Sequence, residues 1–264
     1  MGSGNQTLAD RVAVVTGAGR GLGRAVAERF AREGATVVAV ARTDRELRDL
    51  AARLGPAPGS LEIMPVDVAD DEQVAVFARK TLARHGRVDV LVNNAAILEI
   101  APFHAMTMVD FDRTMNINLR GAVLCAHAFI GSMRAAGRGS IINVGSGAST
   151  KGFAGETHYC AAKFGLEGFS EALAIEARDY NVAINRLSPG FRIKPTSVTA
   201  AEFAAWPEER KAEYRDPIGM ADAFAFLALQ DGRGVTGQRF DAFELAEKVR
   251  NAGWDWHQQM GSGA

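Results

Sequence analysis

Residues 11–16 carry the apolar, β-branched run Val-Ala-Val-Val, which breaks at once into Gly17-Ala-Gly-Arg-Gly-Leu-Gly23, and a helically spaced apolar pattern then runs to Glu33. A strand, a tight turn and a helix in immediate succession strongly restrict the fold. Glycines let the backbone turn sharply and approach a ligand, while the free N–H groups and positive dipole end of the next helix favour a pyrophosphate. Gly17, Gly21 and Gly23 are the key positions of this turn, and Gly19, Arg20 and Leu22 share it. In isolation a glycine-rich turn is only a turn. The strand before it and the helix after it make it a dinucleotide hypothesis.

The alternation continues along the chain. Thr36–Ala41 reads as a second buried strand ending in Arg42-Thr43-Asp44, and 46–54 as a helix with Thr43 or Asp44 at its N-cap. Gly55-Pro-Ala-Pro-Gly59 breaks the chain before a third strand over 61–66 and a helix over 71–85. A fourth strand over 88–92 leaves Asn93-Asn94-Ala95-Ala96 at its carboxyl end, where an open sheet binds ligands, so Asn93 and Ala95 are expected on the cofactor side. Helical spacing covers 109–136, a fifth strand 140–144, a helix 159–178, a sixth strand 182–187 and a helix 216–228. Residues 235–240 lead into a last helix with Ala242, Leu245, Ala246 and Val249 on one face. Parallel neighbours need crossover connections that put helices on both sheet faces. The fold class is therefore α/β: a single doubly wound Rossmann-type domain over 8–253, with a mostly parallel seven-stranded sheet. Residues 1–4 and 261–264 have the Gly-Ser character of expression linkers.

Composition narrows the function classes. With 264 residues, 47% of them hydrophobic, one large α/β domain has ample core. A net charge of −1 offers no field for nucleic acid, and the apolar runs are far too short for a bilayer. Cys125 and Cys160 show neither metal-ligand spacing nor a disulfide framework, so no metal and a cytoplasmic location are expected.

The chemistry concentrates in 146–163. Tyr159 and Lys163 stand four apart at the head of a helix and so share a face. A free tyrosine titrates near ~10, and a neighbouring cation favours the phenolate, a role open to Lys163. Ser146 lies on the preceding loop. Cys160, offset by one residue, faces away as small-residue packing.

The glycine turn, the Asn93–Ala96 stretch, and the order Ser146, Tyr159, Lys163 together resemble the short-chain dehydrogenase/reductase family over roughly residues 10–240. The resemblance implies hydride transfer between NADP(H) and a carbonyl or hydroxyl carbon. Tyr159 would exchange the proton, Lys163 would lower its pKa and hold the nicotinamide ribose, and Ser146 would hydrogen-bond the reacting oxygen. Asn118, within Asn116-Ile-Asn-Leu-Arg-Gly121, matches the family's catalytic asparagine. A bend with a bound water linked to the lysine would explain it; a surface polar position is the alternative. Asp67-Val68 resembles the adenine-contacting pair, with an N-cap role for Asp67 as its alternative. Ser188-Pro189-Gly190 resembles the turn that passes the nicotinamide, with Ile193 binding its carboxamide, although Phe191–Pro195 separates this turn from Thr196 in a way the family does not. The sequence also departs from the family in lacking a closing Asp-Gly-Gly turn.

The resemblance further implies a mobile lid over 198–215 and, together with the Ala- and Gly-rich helices around 109–136 and 159–178, a homo-oligomer, a tetramer or a dimer; Trp254 and Trp256, unusual on a free tail, are expected to be buried against the lid or a neighbouring subunit. NADP(H) is expected over NAD(H), because Ala41 stands where an NAD enzyme places an acid and Arg42 and Arg20 are at hand for a 2′-phosphate. The partner is a small carbonyl or alcohol substrate; Leu98, Phe153, Phe191, Phe203 and Trp206 would make its pocket hydrophobic, unless they are core. Two rival readings are a non-catalytic dinucleotide-binding regulator and a dehydratase or epimerase using the nicotinamide transiently.

Overall fold

Runs of Val, Ile and Ala bounded by glycines or turns become buried strands: β1 (Val12–Thr16), β2 (Thr36–Ala41), β3 (Ser60–Pro65), β4 (Val90–Asn93), β5 (Gly139–Val144) and β6 (Val182–Ser188). The computed structural model describes residues 7–190, 192–193, 198 and 200–253. Between the strands lie α1 (Gly21–Arg32), α2 (Asp44–Leu54), α3 (Asp71–His85), α4 (Met108–Met115), α5 (Gly121–Ala136) and α6 (Thr157–Ala177). Local chemistry sets many of these ends. Asp70 caps α3 by accepting from the Gln73 N–H, and Gly86 closes it in the left-handed region at φ 74°.

The last part of the chain departs most from expectation. Arg192–Ile193 (β7) and Tyr214–Arg215 (β8) pair as a small two-stranded sheet that brackets α7 (Ala200–Ala204) and α8 (Glu208–Lys211). The helix expected over 216–228 begins as a 3₁₀ turn at Pro217–Met220, and α9 proper is Ala221–Ala228. Then β9 (Arg239–Asp241) supplies a seventh strand and α10 (Ala242–Ala252) follows. Ala242, Leu245, Ala246 and Val249 are buried, as their spacing predicts.

The main sheet runs β3-β2-β1-β4-β5-β6-β9, with every pairing parallel. Both faces are covered. Val15 points into a core shared with Phe30, Leu50, Phe224 and Leu245, whereas Val14 joins Phe77, Phe129 and Ile141 on the opposite face. Phe77 and Phe129 meet edge to face at 5.4 Å, a contact worth about 0.5–1.5 kcal/mol beyond area burial. Winding reverses between β1 and β4, so their carboxyl ends diverge and open a crevice there.

The helix expected over 109–136 is not continuous. It carries a π-helical turn at Asn116–Arg120 between α4 and α5, a form often found at functional sites. No described helix is long and apolar enough to cross a membrane. Phe191, Thr196, Trp254, Trp256 and the terminal segments 1–4 and 261–264 lie outside the described residues.

Candidate active site

The crevice is a cavity of about 790 Å³. At one end it is walled by Gly17, Gly19, Arg20, Gly21 and Leu22. Gly17 adopts φ +65°, and a Cβ there would stand 2.7 Å from Asn94 Nδ2, so only glycine fits the turn. The N-cap position of α1 is held by Arg20, whose side chain makes no capping hydrogen bond, and the first turn carries no acid. The cradle thus offers amide donors and a positive helix end to an anion, which fits a dinucleotide pyrophosphate.

This turn is braced from β4. Asn94 Nδ2 donates to the carbonyls of Thr16 (2.9 Å) and Gly17 (3.2 Å), while Thr16 Oγ1 accepts from the N–H groups of Asn94 (3.0 Å) and Ala95 (3.1 Å). Gly23 does not line the cavity. A Cβ there would fall 2.3 Å from the Gly17 carbonyl oxygen, so it lets helix and turn close on each other.

Two further residues expected on the cofactor side do not line the cavity either. Asn93 turns away from the cavity, giving its amide to Ala122 O (3.2 Å) and Asn143 Oδ1 (2.9 Å); Asn94, Ala95 and Ala96 form the wall instead. Gly190, at φ +72°, packs against the Asp241 carboxylate, and Pro189 and Ile193 line the cavity on either side of it.

The ends of β2 and β3 close the nucleotide end with Ala41, Arg42, Thr43, Glu46, Val66, Asp67 and Val68. Asp67 is not a helix cap: its carboxylate accepts from the Ala69 N–H (3.0 Å), and Asp70 caps α3. Glu46, missed in the sequence, places a carboxylate 3.9 Å from Arg20.

At the other end stand Ser146, Tyr159 and Lys163. The end of β5 delivers Ser146 to the N-cap of a 3₁₀ turn, where its Oγ accepts from the Ala148 N–H (3.2 Å). Lys163 is buried and donates to the Val144 carbonyl (2.7 Å), with Nζ 5.8 Å from the Tyr159 ring centre. Burial pushes its ammonium down to about 8, and Glu167 pulls the other way. The expected depression of the Tyr159 value is not seen. Burial raises it, the hydrogen bond with Ser146 opposes the rise, and Glu156 and Cys160 add to it. The ammonium's short bond runs to a carbonyl and not to the phenol, so desolvation prevails.

Asn118 is buried, which rules out a surface role. Both ends of its amide bond the Ile97 main chain at 2.8 Å, so it fixes the segment whose Ile97 and Leu98 line the cavity without lining it itself. Phe203 and Trp206 are not pocket side chains; they pack on each other (5.3 Å) and on Tyr214, with Arg210 stacked 3.6 Å over Trp206. Leu98 does line the cavity, and Phe153 is partly exposed beneath Lys151.

A family model described as short chain dehydrogenase matches residues 11–205. The chain is 39% identical over 239 residues to D-threitol dehydrogenase of Mycolicibacterium smegmatis, covering 87% of this chain and 90% of that one. It is 33% identical to the 3-oxoacyl-[acyl-carrier-protein] reductase FabG of Thermotoga maritima, over 88% of this chain and 95% of the relative. Among solved structures, a metagenomic short-chain oxidoreductase in complex with NADP superposes with a TM-score of 0.76 at 34% identity, over 88% of this chain and 98% of the other.

Proposed function

The chain belongs to the short-chain dehydrogenase/reductase family, and on that premise we propose that it transfers a hydride between NADP(H) and the carbonyl or hydroxyl carbon of a small, hydrophobic ketone or secondary alcohol. The observation that carries this reading is the meeting of Ser146, Tyr159 and buried Lys163 on one wall of a cavity whose other end is an uncapped, glycine-lined helix start. When bound, the nicotinamide supplies or accepts the hydride.

The chain's own residues do the rest. Tyr159, with its phenol protonated, gives a proton to the carbonyl oxygen in reduction and recovers it in oxidation. Ser146 Oγ holds that oxygen in place. Lys163, anchored on Val144, supplies a fixed positive charge beside the phenol and binds the ribose. Asn118 acts one step back by holding Ile97. Gly17, Gly19, Gly21 and Leu22 receive the pyrophosphate, Asp67 and Val68 the adenine, and Pro189 and Ile193 the nicotinamide side. The relatives named for a polyol and a 3-oxoacyl group both interconvert an alcohol and a carbonyl, which supports the reaction class.

The preference for NADP(H) rests on Ala41, Arg42 and Arg20 at the mouth of β2. A charge-assisted hydrogen bond from each guanidinium to a 2′-phosphate is worth about 1.5–3 kcal/mol, or roughly tenfold and more in affinity. A panel of carbonyl compounds assayed with both cofactors tests function and preference together. Ala41→Asp with Arg42→Leu should move kcat/KM toward NADH by at least about tenfold; an NADH-preferring parent, or no movement, would reject the preference.

Phe164 and Ile175 stand exposed on α6, and a Cβ on Gly131 of α5 or Gly168 of α6 would meet nothing within 4 Å. These faces support assembly into a dimer or tetramer. Light scattering that returns only the monomer mass would refute it.

A further inference from the structure

Behind the reacting wall lies a charged cluster that the proposed chemistry does not use. Glu167 sits one helical turn beyond Lys163 on α6 and is mostly buried. Its Oε2 is 3.4 Å from Arg186 Nε on β6, and its Oε1 is 3.3 Å from Arg239 Nε on β9. Arg186, 8% exposed, also pairs with Glu171 and donates to Gly237 O at 2.9 Å. Arg239 continues toward the site by donating through Nη2 to the main-chain carbonyl of Ser146 at 3.2 Å. A Cβ on Gly145 would stand 3.2 Å from Glu167 Oε1, so the carboxylate lies against the residue that precedes Ser146.

Burying ion pairs is costly, and matched apolar side chains often stabilise a core as well or better. A purely structural reason for the buried Glu167–Arg186 pair is therefore weak. We infer that Glu167 is a positioning residue for the proposed reaction, fixing the Ser146 loop through Arg239 and setting the charge around Lys163 from one turn away. The inference rests on the oxidoreductase reading. The groups around Lys163 are Tyr159 and Glu167 on its own helix, Ser146 and the Val144 carbonyl from the β5 side, and Arg186 and Arg239 behind Glu167. Glu167 is the acid that raises the value of Lys163 against burial.

The test needs two variants of the full chain. NADPH affinity is followed by fluorescence between pH 6 and 10, because a lysine that holds the ribose must lose its grip as it deprotonates. In Glu167→Gln the loss of affinity should come about one pH unit below the parent's, the usual effect of a nearby charge. Arg239→Met removes a cation, so its loss should come at the parent's pH or above. Its NADPH affinity near pH 6 should match the parent's, while kcat on a ketone found in the panel falls about tenfold, as expected when a hydrogen-bond donor to the reacting oxygen is misplaced.

Coincident profiles for the parent and Glu167→Gln, a downward shift in both variants, or a parental kcat in Arg239→Met would each overturn the inference. Arg239 is 34% exposed at its side chain and its removal is tolerable, so that arm decides alone if Glu167→Gln does not fold. A parent that fails to bind NADPH, or a Tyr159→Phe variant with undiminished turnover, would instead count against the oxidoreductase reading.

Discussion

The two ends of the cavity recognise their ligands by opposite means. At the glycine turn the working groups belong to the backbone, and side chains matter by being absent: Gly17 holds a positive φ, Gly23 leaves room for a carbonyl, and α1 starts without a cap. At the other end the working groups are side chains, and the backbone serves as their anchor, as when the Val144 carbonyl holds the Lys163 ammonium. Both arrangements cost stability. The first cost is conformational and steric, whereas the second is electrostatic, because a cation is taken out of water. Mutations at the two ends should therefore fail in different ways.

The sharpest contrast pairs Tyr159→Phe with Gly17→Ala. Removing the phenol should lower kcat by about a hundredfold or more, the scale of general acid–base catalysis, with NADPH affinity nearly unchanged. Adding a methyl at Gly17 asks an L-residue to stay at φ +65° and crowds Asn94 and Ala95. The left-handed conformation alone costs about 1–2 kcal/mol, so NADPH affinity should fall about tenfold while kcat at saturating cofactor stays within a few-fold. Equilibrium binding and single-turnover kinetics on both variants separate the two outcomes. If Tyr159→Phe mainly loses affinity, or Gly17→Ala mainly loses kcat, the division of labour is wrong.

The same division explains what the sequence made legible. The strand over Thr36–Ala41 and the helix over Asp71–His85 have the limits their local signals predict, since β-branched runs, Asp70 and Gly86 act over a few residues. The glycine cradle and the Ser146, Tyr159, Lys163 wall were visible for a related reason, as each lies within one short stretch. Features made by chain segments meeting from a distance were not visible. Asn93 and Asn94 look equivalent in sequence, but the last residue of β4 turns toward Asn143 on β5 and the next reaches Thr16 on β1. Apolar periodicity cannot distinguish an α-helix from one with a single π turn, so the break at Asn116–Arg120 was signalled only by the polar Asn118 in an otherwise helical run and not by the apolar pattern. Phe203 and Trp206 were recognisable as aromatics near a site, yet nothing local told that they would pack against Tyr214. Glu167 falls on the Lys163 face by spacing alone, but Arg186 and Arg239 arrive from two other strands.

The smallest effect expected is on stability, and it probes the electrostatic cost directly. Lys163 has a folded-state value of about 8 against an ordinary 10.5, so between those pH values the unfolded chain binds the additional proton. Stability attributable to this group must then rise with pH across that window, and the burial penalty is present in full below about pH 8. Methionine has a similar reach and no charge, but it leaves the Val144 carbonyl without its donor, a loss of about 1 kcal/mol. Relief of the buried charge should match or exceed that loss. Lys163→Met is therefore expected to melt at the parent's temperature or a few degrees above it at pH 7, where about 1 kcal/mol corresponds to roughly 2–4 °C. The parent should gain on the variant as pH climbs from 8 toward 10.5. Tyr159 does not mimic this trend, because burial raises its value from 10 and a raised folded value makes stability fall as pH climbs from 10 toward it. Gly17→Ala, whose defect carries no charge, should show a deficit that does not change with pH. Calorimetric melting at pH 7, 8, 9 and 10 for the three proteins supplies the comparison: a constant gap between the parent and Lys163→Met, or a variant that melts well below the parent at pH 7, would mean that the buried ammonium is not the source of strain at this end of the cavity.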